Sequence, residues 1–297
     1  MRFTVPVVLA AVFLAGCSTP ESSTSADGAT RTVEHARGTA QVPDAPQRVV
    51  VLEPLELDTA VAVGITPVGA AVASNTSGLP KYLGVDGIAP VGTVPEPDLE
   101  AIAALKPDLI LGTESRHSKL YDQLASVAPT VFMKTQADPW QDNAKLIGTA
   151  LNKSTEVAGL LDTYQQRCAA IRSKYQVSGT ASLVRPRDET TLSLYGPVSF
   201  AGSTLQCTGF TIPEQEWEDG LQADISPENV LKAKADHVFV TTADVADTGT
   251  VPAAIRDNQA AFPSVTLVDT SVWVSGVGPK GAQTVLDDIE KFLETAK

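Results

Sequence analysis

Histidine and cysteine are scarce in this chain, with three of each in 297 residues. His35, His117 and His237 stand far apart, and Cys168 and Cys207 are isolated from them, so no ligand spacing of a zinc site is present. Cations are also short, 22 Lys and Arg against 35 Asp and Glu, for a formal net charge of −13. That balance argues against a nucleic-acid partner, which needs a basic face to neutralise phosphates. There is no Gly-x-Ser-x-Gly elbow and no glycine-rich phosphate loop closing on Lys-Ser or Lys-Thr. Carboxylates are many but scattered, as on a solvated surface. These absences remove the common catalytic constellations and favour a binding protein over an enzyme. The apolar run at 5–14 is about ten residues long, too short to cross a bilayer as a helix.

That run belongs to a processing segment. Arg2 supplies a minimal positive start, and Leu14-Ala15-Gly16-Cys17 resembles a bacterial lipobox, in which the cysteine is diacylated and becomes the mature N-terminus. The expectation is a signal peptide over 1–17, lipidation at Cys17, and an extracytoplasmic protein held at the outer face of a bacterial cell membrane by its lipid. Residues 18–31, rich in Ser, Thr, Gly and Ala, read as a flexible tether. An exported domain sits in an oxidising compartment, where Cys168 and Cys207 favour a disulfide over free thiols.

Residues 98–112, DLEAIAALKPDLILG, organise the rest. They read as a short amphipathic helix with Leu99, Ile102, Ala103 and Leu105 inward. Pro107 ends it, because the residue before a proline is pushed out of the α region. A continuous apolar strand at 109–111 follows, as expected of a parallel strand covered on both faces. Strands at 47–52, 66–72 and 130–133 alternate with helices at 56–63, 119–126 and 140–151, which predicts a parallel sheet flanked by helices. An edge strand or hairpin precedes them at 32–42. Over 155–175 the apolar positions Val157, Leu160, Leu161, Tyr164, Cys168, Ile171 and Tyr175 keep helical spacing for about 30 Å. Ser154 is its expected N-cap. The second half repeats the pattern, with strands at 181–184, 191–195, 237–241 and 264–269 and a closing helix over 280–296. Ser226 as cap, Pro227 at the first position and Glu228 in the first turn begin another helix. The predicted fold is α/β: two Rossmann-like lobes with a central cleft, 32–150 and 179–297, joined by one long backbone helix within 151–178. Periodicity alone also allows that helix to be a surface helix of one domain. Clefts between lobes are preferred ligand sites.

The wording at 98–112, the phrase RVVVLEPLELDTAVAVGITPVGAA at 48–71 and Ala-Pro-Thr-Val at 128–131 resemble the class III substrate-binding proteins of ABC importers, which carry ferric siderophores, cobalamin and haem. The resemblance runs from 48 to 292 and is nearest to the ferric-siderophore binders. It implies a stiff linking helix and small hinge closure. Its ligand would be an iron(III)–siderophore complex that keeps its own iron, so neither a protein metal ligand nor a cofactor is needed. Arg116 and Arg185, each just after a strand, are the implied ligand cations, with Arg187 as neighbour and competitor to Arg185. A guanidinium can donate several hydrogen bonds to anionic chelating oxygens. Trp217 and Trp273 would be flat walls, and Tyr82 and Tyr195 weaker contacts. Relatives that bind tricatecholates tend to use three arginines. Two placed here lean toward a hydroxamate or mixed-ligand siderophore. Glu100 and Glu228 match the glutamates that dock on arginines of the ABC permease dimer, although a carboxylate in a first turn also suits the helix dipole. The implied state is a monomer, attached to the membrane through the lipid alone. The alternative within the fold is haem with His117 as axial ligand; cobalamin is weaker. An exported α/β hydrolase would need a nucleophile and base that the sequence does not offer, and a scaffold lipoprotein with no small ligand is a further reading.

Overall fold

Five short apolar strands build the first sheet. They are β3 (Val49–Val51), β4 (Gly69–Val72), β5 (Ala89–Thr93), β6 (Leu109–Thr113) and β7 (Thr130–Met133). A hairpin of β1 (Thr30–His35) and β2 (Gly38–Pro43) precedes them. The computed structural model describes Met1, residues 28–73 and residues 78–295; Cys17 and 18–27 of the expected tether lie outside the described residues. The sheet is parallel throughout, in the order β5-β4-β3-β6-β7. Its central strands β3 and β6 are buried at every position, which is why they read as unbroken apolar runs. The helices of this lobe are α1 (Pro54–Ala62), α2 (Leu99–Ala104), α3 (Glu114–His117), α4 (Tyr121–Val127) and α5 (Trp140–Ala150). Asp98 caps α2 by accepting from the amides of Glu100 and Ala101, both at 3.0 Å. Pro107 stops α2 as expected, with Lys106 placed at φ 47°, left-handed rather than extended.

Helix α6 (Ser154–Tyr175) carries the chain onward over roughly 33 Å. Lys153 holds the cap position and Ser154 is the first helical residue, one place on from the expectation. The helix packs on α5 of the first lobe and on α7 (Phe200–Thr208) and α10 (Pro279–Thr295) of the second, so it joins the two rather than decorating one. Cys168 on α6 is bonded to Cys207 on α7, 39 residues on. A cross-link over a loop of that size stabilises by roughly 4 kcal/mol on loop-closure grounds.

The second sheet holds β8 (Ala181–Pro186), β9 (Leu192–Tyr195), β10 (Gln222–Ile225), β11 (His237–Thr242) and β12 (Val265–Asp269), in the order β10-β9-β8-β11-β12. The pairings of β8, β11 and β12 are parallel; β9 is reversed and pairs antiparallel with β8 on one side and with β10 on the other. The sequence pattern suggested a plain repeat of the first half. The stretch between β8 and β9 is too short for a crossover helix, so the two fold back as a hairpin. Strand β10 is half polar and escaped the pattern. The segment Pro227–Ala233 coils as a 3₁₀ helix, and two short helices, α8 (Ala253–Arg256) and α9 (Thr270–Trp273), complete the lobe.

One apolar core runs through α1, α5, α6, α7 and α10 and the facing sides of both sheets. Across it, buried Asp58 on α1 accepts from the Tyr82 hydroxyl at 2.7 Å and from the amides of Lys280 and Gly281 at the start of α10, each at 2.8 Å. Gly278, at φ 141°, makes this approach possible, because a Cβ there would run into the Asp58 carboxylate.

Candidate functional site

In an open α/β sheet the loops leaving neighbouring strands diverge where the strand order reverses, and a crevice opens beyond their carboxyl ends. In the first sheet that point lies between β3 and β6, and in the second beside β8. A cavity of about 700 Å³ sits there, lined from both lobes. Glu53 leaves β3 and Arg116 follows β6. Trp140 and Asn143, one turn apart on α5, line the same side. From the second lobe come Arg185 at the end of β8, Arg187 just beyond it, Tyr195 and Trp273.

The charged residues of the lining are Arg116, Arg185, Arg187 and Glu53, a formal balance of three cations to one anion. In a chain of net charge −13 this is a local reversal of sign. Arg116 donates from Nη1 to Glu53 at 3.1 Å, and Gln136 donates from Nε2 to the other Glu53 oxygen at 2.7 Å. Glu53 is 3 % exposed, and it caps α1 in a reciprocal box with Glu56, whose carboxylate accepts from the amides of Leu52 and Glu53 at 2.8 and 3.0 Å. Burial raises the Glu53 pKa, with Arg116 pulling back. Burial, then the Glu53 charge, raises that of Glu56 further. On the second lobe, Arg185 donates to the Tyr195 hydroxyl at 3.3 Å.

Arg116, Arg185, Tyr195 and Trp273 all line the cavity, and Arg187 joins Arg185 rather than replacing it. Trp273 is only 1 % exposed: its ring stacks on Phe239 at 4.9 Å and its indole donates to Asp288 at 2.9 Å, which makes it the floor beneath the cavity more than a free wall. Two expected contacts lie outside the lining. Tyr82 spends its hydroxyl on Asp58, and Trp217 packs between the two core clusters beside Gly196. His117 is fully buried. Its Nδ1 accepts from the Thr113 amide at 3.1 Å and its Nε2 meets the Val94 carbonyl at 2.8 Å, so no ring nitrogen is left for an iron and the haem alternative loses its axial ligand. Glu100 and Glu228 are exposed, one on each lobe and away from the cavity. Sequence reasoning missed Glu53, Gln136, Trp140 and Asn143. The spacing of Trp140 and Asn143 on one face of a helix start was the available signal, and Glu53 carried one as the residue directly after a buried strand.

The three acidic residues at the start of the core, Glu53, Glu56 and Asp58, share a pH signature. Burial lifts each above its ordinary value, Asp58 from 3.8 to about 7 against the pull of Tyr82, Lys280 and Gly281. The folded state therefore holds protons that the unfolded chain releases. The stability they contribute is full below the unfolded values near 4 and is lost as pH rises through the folded ones. The thermal midpoint should be higher at about pH 5 than at about pH 8, and Asp58→Asn should flatten that slope while lowering the midpoint overall; melts followed by circular dichroism across that range check it.

A sequence profile of the family described as "Periplasmic binding protein" matches residues 49–264. The chain is 35 % identical to the probable siderophore-binding lipoprotein YfiY of Bacillus subtilis, over 97 % of this chain and 96 % of that protein. It is 28 % identical to the Fe(3+)-citrate-binding protein YfmC of the same organism, over 96 % and 94 % of the two chains. Among solved structures it resembles Staphylococcus aureus SirA complexed with staphyloferrin B, at a TM-score of 0.73 and 29 % identity, covering 89 % of this chain and 99 % of that one.

Proposed function

This chain belongs to the periplasmic binding protein family, among the class III substrate-binding proteins of ABC importers, and from that membership we propose that it binds a ferric siderophore outside the cytoplasmic membrane and delivers it to an ABC permease for iron uptake. The observation that carries this reading is the cationic cavity of about 700 Å³ at the switch points of both sheets in an otherwise acidic protein. Its size suits a small-molecule complex. Its guanidiniums suit the anionic oxygens around iron(III). Arg187 is a third cation, but Glu53 offsets one of the three, so the effective count returns to two. That balance supports a hydroxamate or mixed-ligand complex of modest charge over a highly anionic tricatecholate. Cys17 is the proposed lipid anchor, and the chain acts as a monomer.

The test is a tryptophan-fluorescence titration of the protein with ferrioxamine, ferric citrate, a ferric tricatecholate, haem and cobalamin. Saturable quenching by a ferric siderophore supports the reading; a folded protein silent to every iron complex ends it. Delivery is a separate step. Glu100 and Glu228 are exposed acids on the two lobes, suited to arginines on a permease dimer. Alanine at both is expected to cut cellular uptake of labelled iron at least about tenfold while leaving siderophore affinity unchanged, since exposed charges at an interface rim govern docking rather than the buried site.

A further inference from the structure

Among the described residues, each polar side chain on the first-lobe wall of the cavity has a partner within the protein, with one exception. Arg116 and Gln136 both donate to Glu53, and Gln136 accepts from the Ser115 hydroxyl at 3.1 Å. Asn143 donates from Nδ2 to the Thr135 carbonyl at 2.9 Å. Trp140 is 4 % exposed, and its indole N–H has no acceptor among the described residues. Among the described residues, buried polar side-chain atoms of Arg31, Thr59 and Thr241 also lack a hydrogen-bond partner, and none of those residues lines the cavity. A buried donor without an acceptor is costly, so native proteins rarely keep one unless something absent from the chain fills it.

The ring that carries this donor is held firmly. Trp140 meets Tyr164 edge-on at 5.2 Å and Phe200 edge-on at 5.6 Å, and Tyr164 is itself tied to Thr204 by a 3.2 Å hydrogen bond. The donor is therefore fixed before any ligand arrives, and little side-chain freedom remains to be lost on binding. An indole N–H can only donate. Its partner must be an acceptor, and in this cavity the available chemistry is an oxygen of the bound complex.

We propose that the Trp140 indole is a ligand donor that takes a carboxylate or amide carbonyl oxygen of the iron chelator, on the first-lobe wall, while Arg185 and Arg187 serve the complex from the second lobe. This rests on the siderophore reading of the cavity. It gives the site a polarity: cations uncompensated on one lobe, and on the other a neutral donor beside an arginine already paired with Glu53. A chelator with peripheral carbonyl or carboxylate oxygens is favoured over one whose outer surface is hydrocarbon.

The test uses the ¹⁵N-labelled protein and the diamagnetic gallium(III) complexes of desferrioxamine and of citrate. The chain has three tryptophans, hence three indole signals, and Trp140→Phe assigns one by its loss. On saturation the Trp140 signal is expected to move downfield more than those of Trp217 and Trp273. Trp140→Phe, which keeps an aromatic ring between Tyr164 and Phe200, is expected to bind about tenfold more weakly with its thermal midpoint held or raised. A Trp140 signal that stays in place while a complex binds saturably overturns the proposal and leaves the siderophore reading intact, as does unchanged affinity in Trp140→Phe. No saturable binding by either complex, in the gallium or the iron form, overturns the reading of the cavity and this donor with it.

Discussion

Alanine at both Arg185 and Arg187 should lower the affinity for a ferric siderophore by about two to three orders of magnitude. The estimate follows from the charge on each donor. A hydrogen bond to a charged group contributes about 1.5–3 kcal/mol, and about 1.4 kcal/mol is tenfold in a dissociation constant. Both side chains reach the cavity from the end of β8, and no acidic residue on that lobe's share of the lining offsets them. Arg116→Ala alone should cost less, about tenfold, because Arg116 already shares its charge with Glu53. Lysine at 185 and 187 should restore only part of the loss: a single ammonium cannot reproduce the planar fork that meets two oxygens at once. Titration with ferrioxamine and ferric citrate reads the effect, with circular dichroism confirming the fold. A loss below about threefold in the double variant would put the iron complex somewhere other than against these guanidiniums.

Trp273→Ala should act on stability first. Truncating a buried tryptophan costs about 3–5 kcal/mol, and here it also strips the partly buried Asp288 of its donor. The stack on Phe239 is lost as well. The thermal midpoint should fall by roughly 10 °C, a size expected for a chain of this length. Trp273→Phe should recover most of the packing and none of the hydrogen bond, landing between the two. If the midpoint of the alanine variant falls by less than about 3 °C while siderophore affinity collapses, the ring is a ligand wall and not a floor.

The difference between these two sites explains what could be read from the sequence. The alternation that defined the first lobe is a property of buried parallel strands, whose apolar runs are visible in the letters at 49–51 and 109–111. Arg116 and Arg185 were legible because a cation just past such a strand sits where the crevice opens. Trp273 was legible as an aromatic near that place, but nothing in sequence distinguishes a ring facing a ligand from one stacked on Phe239. Tyr82 was misleading for the same reason: its hydroxyl has a partner at residue 58 that no local pattern reveals. Strand β9 was legible at 191–195, but its antiparallel pairing was not, because that follows from the short loop after β8; the half-polar β10 was missed altogether. Glu53 and Trp140 were missed because their roles depend on what faces them, namely Arg116 and Gln136 in one case and no acceptor among the described residues in the other.

The bonds from Asp58 to the start of α10 join positions 222 and 223 residues apart. During synthesis, α1 emerges long before the helix that supplies two of the three donors to its buried carboxylate. Until α10 arrives, that carboxylate has only Tyr82 to satisfy it and the surrounding core stays unsealed. The first lobe made alone is therefore expected to lack two of the donors to this carboxylate. Contacts of such long range delay the productive collapse of the chain. Any fragment stopping short of residue 279 should remain open to proteases, so the mature structure closes only when the whole polypeptide is present.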